Sequence, residues 1–213
     1  MPVVCYAPTS WPAKLYRADT DRLLASQRRI LLTATGAYRT APGEALQAIA
    51  GQLPIDLELE LKREFEAINK RYDGTTRKRP KRAALESILA KWQARWGTSK
   101  SEKTKRFIPD VVSRYGQRQA QSTFLTQLLT EHGNMAVYLH RIMKKDDPTC
   151  MLRQQDSEDA PHIIWDCVGR EEDRLCLREE LGVGSWPCAL PLLLSKEGRP
   201  LERFARRALS EKK

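Results

Sequence analysis

Apolar residues recur at helical spacing along most of the chain. From Asp19 to Gly36, the residues Leu23, Leu24, Gln27, Ile30 and Leu31 fall on one stripe, with Asp19 or Thr20 as the expected N-cap and Gly36 as the stop. Pro42 opens a short second helix whose stripe is Ala45, Leu46 and Ile49 and whose end is Gly51. After Pro54, the residues Leu57, Leu61, Phe65, Ile68 and Tyr72 keep the spacing until Asp73-Gly74 breaks it. A fourth helix is expected from Ala83 to Trp96, with Leu85, Ile88, Leu89, Trp92 and Trp96 on one side and Gly97 closing it.

Further on, Phe124, Leu125, Leu128 and Leu129 lead to His132-Gly133, and Met135, Val137, Tyr138, Leu139, Ile142 and Met143 continue beyond, which predicts two helices hinged at the glycine. Residues 144–170 are polar and carry no period. Helical spacing resumes at Glu171–Leu181, Pro191–Ser195 and Leu201–Leu209, and His162–Trp165 is a short candidate strand. The expected fold class is mostly α: a helical bundle, then a small irregular Cys/His segment with C-terminal helices. Expected divisions are 1–74, 75–106 (a basic linker and helix), 107–145 (a helical hairpin) and 146–213. No internal repeat is visible.

Composition narrows the class. The 213 residues are 41% apolar, 30% charged and 7% aromatic, which suits a globular chain rather than a disordered or fibrous one. No stretch approaches a membrane span, and Met1–Ser10 lacks a basic region followed by an apolar run, so neither a span nor a signal peptide is expected and the chain reads as intracellular. Five cysteines, at 5, 150, 167, 176 and 188, are odd in number and gather towards the C-terminus; reduced thiols or metal ligands fit that better than a disulfide framework.

Charge is distributed unevenly. Between Arg77 and Arg106 stand eleven Lys/Arg and two acids, so this window holds nine of the ten net positive charges. The run Arg77-Lys78-Arg79-Pro80-Lys81-Arg82 is too charged to bury, and its proline favours an extended or turn conformation. Such a run is a natural phosphate contact, because each phosphate neutralised releases condensed counterions. The same charge also suits a solvated linker or a nuclear-localisation segment on a non-enzymatic helical adaptor. Arg77, Lys78, Arg79, Lys81 and Arg82 are the first candidates for nucleic-acid contact, Lys103, Lys105 and Arg106 a second strip, and Arg28 and Arg39 weaker ones. Trp92 and Trp96, at helical spacing with Leu85 and Leu89, read as core rather than as stacking faces.

Cys150, His162 and Cys167 form the other feature. His-x4-Cys is a usual spacing for the second half of a small zinc knuckle, but Met151, Leu152 and Arg153 follow Cys150 where a Cys-x2-Cys half would place its second ligand. Zinc would then be held by three ligands plus water, or plus Asp156, Glu158, Asp159, Cys176 or Cys188. The alternative is two buried thiols and a satisfied surface histidine. No catalytic constellation is visible: there is no Gly-x-Ser-x-Gly, His-Glu-x-x-His, Walker loop or Tyr-x-Asp-Asp, and Asp146-Asp147 reads as a helix-ending turn.

Several phrases occur in an order that resembles the non-LTR retrotransposons. Gln27–Ile55, with Ala37-Tyr38-Arg39-Thr40 inside it, is similar to the segment that follows their reverse-transcriptase palm. Arg106–Val111, Leu125–Ile142 and the Cys…His-x4-Cys segment look like their C-terminal block, and Arg174 matches an arginine that commonly follows it. Glu131 departs from that pattern, as does Arg153 or Leu152 where a second cysteine belongs. The resemblance, nearest to the pol polyproteins of type-1 elements of insect ribosomal DNA, implies a thumb-like, nucleic-acid-binding C-terminal part of a larger polyprotein. Its parent would be an RNA-directed DNA polymerase with endonuclease, and the catalytic aspartates and their magnesium would lie upstream. RNA, DNA and the rest of the polyprotein are the implied partners, with no membrane, no small-molecule substrate and a nuclear place of action at the integration site.

Overall fold

The computed structural model describes residues 15–117, 122–194 and 198–210. Helix α1 (Arg17–Thr35) buries Leu23, Gln27 and Leu31, and Gly36 ends it in the left-handed region at φ 60°. It starts before Asp19, with Tyr16 at the cap position, so neither Asp19 nor Thr20 serves as the expected N-cap. The polar member of its stripe has a task. The Gln27 amide donates to the Leu53 carbonyl at 2.7 Å, and its oxygen accepts from the Ile55 amide at 3.0 Å and from Gln47 at 2.8 Å, which satisfies buried backbone where α1 meets the next two helices.

Helix α2 (Gly43–Ala50) stops at Gly51, again left-handed at φ 63°. Helices α3 (Ile55–Arg71) and α4 (Lys78–Thr98) then form an antiparallel hairpin. Trp92 and Trp96 are core residues, as their spacing predicts, and the Trp96 indole donates to the Ile108 carbonyl at 2.8 Å.

Two expectations fail here. The basic run is not extended: Gly74–Arg77 is a 3-10 turn and α4 begins at Lys78, five residues before Ala83. Pro80 is tolerated because it lies in the first helical turn, where its missing N–H has no intrahelical partner to lose. Nor does Gly97 close α4, which continues through it to Thr98.

A short helix that no periodicity signals, α5 (Glu102–Phe107), follows α4. Helix α6 (Thr123–Thr130) is capped by the Ser122 hydroxyl, which accepts from the Leu125 amide at 3.2 Å, and α7 (Ala136–Arg141) comes next. The hinge between them is at Glu131, left-handed at φ 52°, rather than at Gly133.

The aperiodic segment holds a two-stranded antiparallel hairpin, β1 (Thr149–Cys150) and β2 (Arg153–Ser157), with Cys150 paired to Arg153. His162–Trp165 is not a strand: His162–Asp166 is a π-helical turn. A 3-10 turn over Val168–Arg170 leads into α8 (Glu171–Leu181), and a further 3-10 turn, Leu190–Leu194, stands where residues 191–195 predict a helix; Ser195 lies outside the described residues. Helix α9 (Arg199–Ser210) buries Leu201, Phe204, Ala205, Ala208 and Leu209 against α6 and α8. One main core therefore joins α3 and α4 to α9. Among the described residues, no helix is long and apolar enough to cross a membrane.

Candidate nucleic-acid interface and metal centre

The hairpin separates the cations of α4 into two groups. Near its base, Arg95 grips Asp56 with both terminal nitrogens, at 3.0 and 2.7 Å, and Lys91 bonds Glu60. Both basic groups are held above their ordinary pKa, chiefly by these hydrogen bonds, so they brace α4 against α3 as cations. At the tip the balance reverses. Arg77, Lys78, Arg79, Lys81 and Arg82 are joined there by Lys70 and Arg71 from the end of α3, which charge density along the sequence had not marked. Their only ion-pair partners among the described residues are exposed: Asp73 at 3.4 Å from Arg77, and Glu86 at 2.8 Å from Arg82. Lys81 lies 5.5 Å from the Phe65 ring centre and Arg71 5.8 Å from that of the exposed Tyr72.

This tip stands at the N-terminus of a 21-residue helix with no acid in its first turn. A helix N-terminus carries a partial positive charge and normally attracts acidic side chains. Here it meets Lys78, Arg79, Lys81 and Arg82, so like charges crowd where the backbone itself is positive. An external polyanion would relieve both the helix dipole and the crowding of side-chain charge.

The second strip has different surroundings. Lys103 and Arg106 both bond Glu131, which is 7% exposed, with Arg106 at 2.6 Å. Lys105 donates to Glu102 and the Gly97 carbonyl at 2.9 Å and to the Ser99 carbonyl at 2.5 Å. Arg28 is likewise engaged, donating to the Ala41 carbonyl at 3.2 and 2.9 Å and to that of Arg39. These groups hold α5, the α6–α7 hinge and the α1–α2 loop in place. The structure does not bring the strip together with the hairpin tip.

Cys150, His162 and Cys167 do converge. All three are buried, and their ligand atoms lie within 4.8 Å of one another. Cys150 comes from the hairpin β1–β2, His162 from the π-helical turn and Cys167 from the residue after it. The two sulfurs are 3.7 Å apart; two thiolates at about 2.3 Å from a tetrahedral zinc stand roughly 3.8 Å apart. His162 is not the satisfied surface residue of the alternative reading: its Nε2 is buried without a hydrogen-bond partner, while Nδ1 lies 4.0 Å from an Asp156 carboxylate oxygen. A histidine that binds metal through one nitrogen commonly presents the other to a carboxylate. Burial and the neighbouring Cys150 push the Cys167 thiol above its ordinary pKa.

Arg174 fixes this corner, donating to the Cys167 carbonyl at 2.5 Å and pairing with Glu171. The group can hold a metal ion. Arg153 occupies the strand position opposite Cys150 where a second knuckle cysteine would stand, and Cys176 and Cys188 are not in the group. Among the described residues, Asp156, Glu158, Asp159 and Asp166 form no metal-binding group of their own.

Known relatives of the sequence are proteins of mobile elements. One relative aligns along the whole chain and others along most of it. A Pol polyprotein from type-1 retrotransposable element R1 4 of Nasonia vitripennis is 30% identical over 231 aligned positions, covering 100% of this chain and 58% of the relative. The R1 2 polyprotein of the same wasp is 29% identical over 86% of this chain, and the R1 polyprotein of Bradysia coprophila 31% identical over 70%. The homologues that cover most of this chain are thus non-LTR, R1-type retrotransposon Pol polyproteins. It spans 58%, 48% and 16% of the length of these three relatives. No family model matches it, and no solved structure does.

Proposed function

We propose that this chain is a nucleic-acid-gripping part of an R1-type Pol polyprotein, working downstream of the polymerase palm. The observation that carries the reading is the α3–α4 tip: seven cations gather at a helix N-terminus with no acid in its first turn, and two exposed carboxylates stand among them. In this reading Arg77, Lys78, Arg79, Lys81 and Arg82 hold the sugar–phosphate backbone of RNA or target DNA. The chain makes no bond itself. Its residues orient a strand for a parent that copies element RNA into DNA at a nicked site, in the nucleus, with magnesium at the parent's own polymerase centre. Lys103, Lys105 and Arg106 belong to the interface only through the positions they hold, since Lys103 and Arg106 share the buried Glu131 carboxylate and Lys105 is held by two carbonyls and Glu102.

We further propose zinc as the metal, with Cys150, His162 and Cys167 as ligands. Zinc would supply a cross-link between the β1–β2 hairpin and the start of α8; Asp156 orients His162, and Arg174 anchors the Cys167 backbone.

A filter-binding titration against salt tests the first proposal. Changing the five tip residues to Gln is expected to weaken RNA and duplex DNA binding together and to lower the log–log salt slope by about 0.9 for each duplex phosphate left without its cation. An unchanged slope, or negligible affinity of the unaltered chain at physiological ionic strength, overturns it, the latter favouring a helical adaptor with a nuclear address. For the metal, elemental analysis of protein purified without added zinc is expected to give one zinc per chain, lost in Cys150→Ser; a ratio near zero contradicts it.

A further inference from the structure

Two of the phrases that carry the family resemblance meet in one cluster, through residues more than ninety apart in sequence. Tyr38, Arg39 and Thr40 come from the α1–α2 loop; His132, Tyr138 and Arg141 come from the α6–α7 hinge and from α7. The Thr40 hydroxyl joins the two sides, 2.6 Å from the Tyr138 hydroxyl and 3.0 Å from His132 Nδ1. Tyr38 meets Tyr138 edge-on at 5.9 Å, His132 lies over Tyr138 at 5.1 Å, and the Arg141 guanidinium sits 5.1 Å from the Tyr138 ring centre and 3.4 Å from His132 Nε2. Tyr138 is buried and serves as the floor; Tyr38 and His132 are half-buried, and Arg39 and Arg141 are exposed. From beneath, Arg28 fixes the loop by its bonds to the Arg39 and Ala41 carbonyls.

Charge around this cluster is positive. No carboxylate among the described residues pairs with Arg39 or Arg141. Lys103 and Arg106, on the adjoining wall, share the single carboxylate of Glu131. Asp159, which lines the same small pocket, is committed to the His162 amide at 2.9 Å. Burial, with the charges of Arg141 and Lys103, holds His132 below its ordinary pKa, so its ring is a neutral flat face. Guanidinium groups beside preset aromatic rings match a phosphate followed by an unpaired base, which needs a cation for one part and a ring face for the other.

We propose that Tyr38, Arg39, His132 and Arg141, on the Tyr138 floor, form a second nucleic-acid contact that takes one phosphodiester and its adjacent unstacked base from a single strand. It rests on the reading of the chain as a nucleic-acid grip, but on residues separate from the hairpin tip. A duplex, its bases stacked inside, has no base to offer here, so this site discriminates single from double strand where the tip does not.

The test uses the full chain with a fluorescein-labelled twelve-residue oligothymidylate and a duplex of the same length. Arg39→Gln/Arg141→Gln is expected to lower single-strand affinity roughly tenfold and the salt slope by about 0.7, and Tyr38→Ala to cost roughly tenfold on the single strand, with duplex binding little changed. Circular dichroism verifies the fold of each variant. An oligonucleotide carrying 5-iodouracil is expected to photo-cross-link to the tryptic peptide 30–39, which contains Tyr38. If these variants bind as the unaltered chain does while Lys78→Gln/Arg79→Gln loses affinity, the second contact is wrong and the tip reading stands. If the tip variant is unaffected while the Arg39/Arg141 variant loses single-strand binding, the reverse holds. Loss of duplex and single strand in equal measure also overturns the site, and no binding of either nucleic acid overturns both readings.

Discussion

The hairpin tip and the α5 strip look alike in sequence and differ in what their charges do. Lys78-Arg79-Pro80-Lys81-Arg82 and Lys103-Thr104-Lys105-Arg106 are both short and basic, and both lie in the same cationic window. At the tip, exposed Asp73 and Glu86 answer seven cations. At α5, buried Glu131 takes Lys103 and Arg106, while carbonyls at Gly97 and Ser99 take Lys105. Positive charge that tertiary structure has already paired is a fastening. Positive charge left at a helix N-terminus is an open demand for an anion.

The largest effect that sharpens this comparison is on binding. Converting the five tip residues to Gln is expected to weaken nucleic-acid affinity on the order of a hundredfold at physiological salt, with thermal stability unchanged or slightly raised because like charges leave the positive end of α4. A Tm loss of many degrees would show that the tip is structural after all. At α5 the outcome should invert. Glu131→Gln removes the buried carboxylate that holds two half-exposed cations and is expected to cost about 1–2 kcal/mol in denaturant unfolding, while binding does not fall; a stability change near zero would mean that the strip is not a fastening.

Asp56→Asn is expected to be milder, about 1 kcal/mol, because it weakens a two-pronged bond to a half-exposed Arg95. Smallest is a pH effect at the hinge. His132 is held below its ordinary value of 6.5, chiefly by burial, so its stabilising share is complete above 6.5 and is lost as pH falls through the lowered value. His132→Gln should flatten that part of the acid limb, and parallel limbs would remove the assignment.

Much of the fold was legible from apolar spacing. Gly36 and Gly51 both stop helices in the left-handed conformation that glycine favours, and Trp92 and Trp96 both enter the core. What the spacing could not supply was set by contacts across the fold. Helix α5 is six residues long, too short for a stripe, and it exists because Thr104 and Phe107 are buried by distant partners, the Thr104 hydroxyl donating to the Leu129 carbonyl at 3.1 Å. Glu131 adopts a left-handed conformation rare for its type, and Lys103 and Arg106 hold its carboxylate there. The early start of α4 was hidden by Pro80, whose bias against helix on its N-terminal side is overcome in a first turn.

For the candidate sites, the convergence of Cys150, His162 and Cys167 was legible in their spacing. The π-helical turn that aims His162 inward was not, since π turns have no spacing signature that four residues can display. Of the cluster around Tyr138 the sequence marked only Arg39, as a weaker candidate, and its two phrases gave no sign that they meet. The cluster requires Thr40 and His132, ninety-two residues apart, to share a hydrogen bond.

Amide hydrogen exchange with and without a saturating twenty-residue RNA tests the contrast between the two basic segments most directly. Slowed exchange across residues 70–84, with residues 102–107 unchanged, is the result expected of an open tip and a fastened strip. Protection that appears at 102–107 and leaves 70–84 untouched would contradict it.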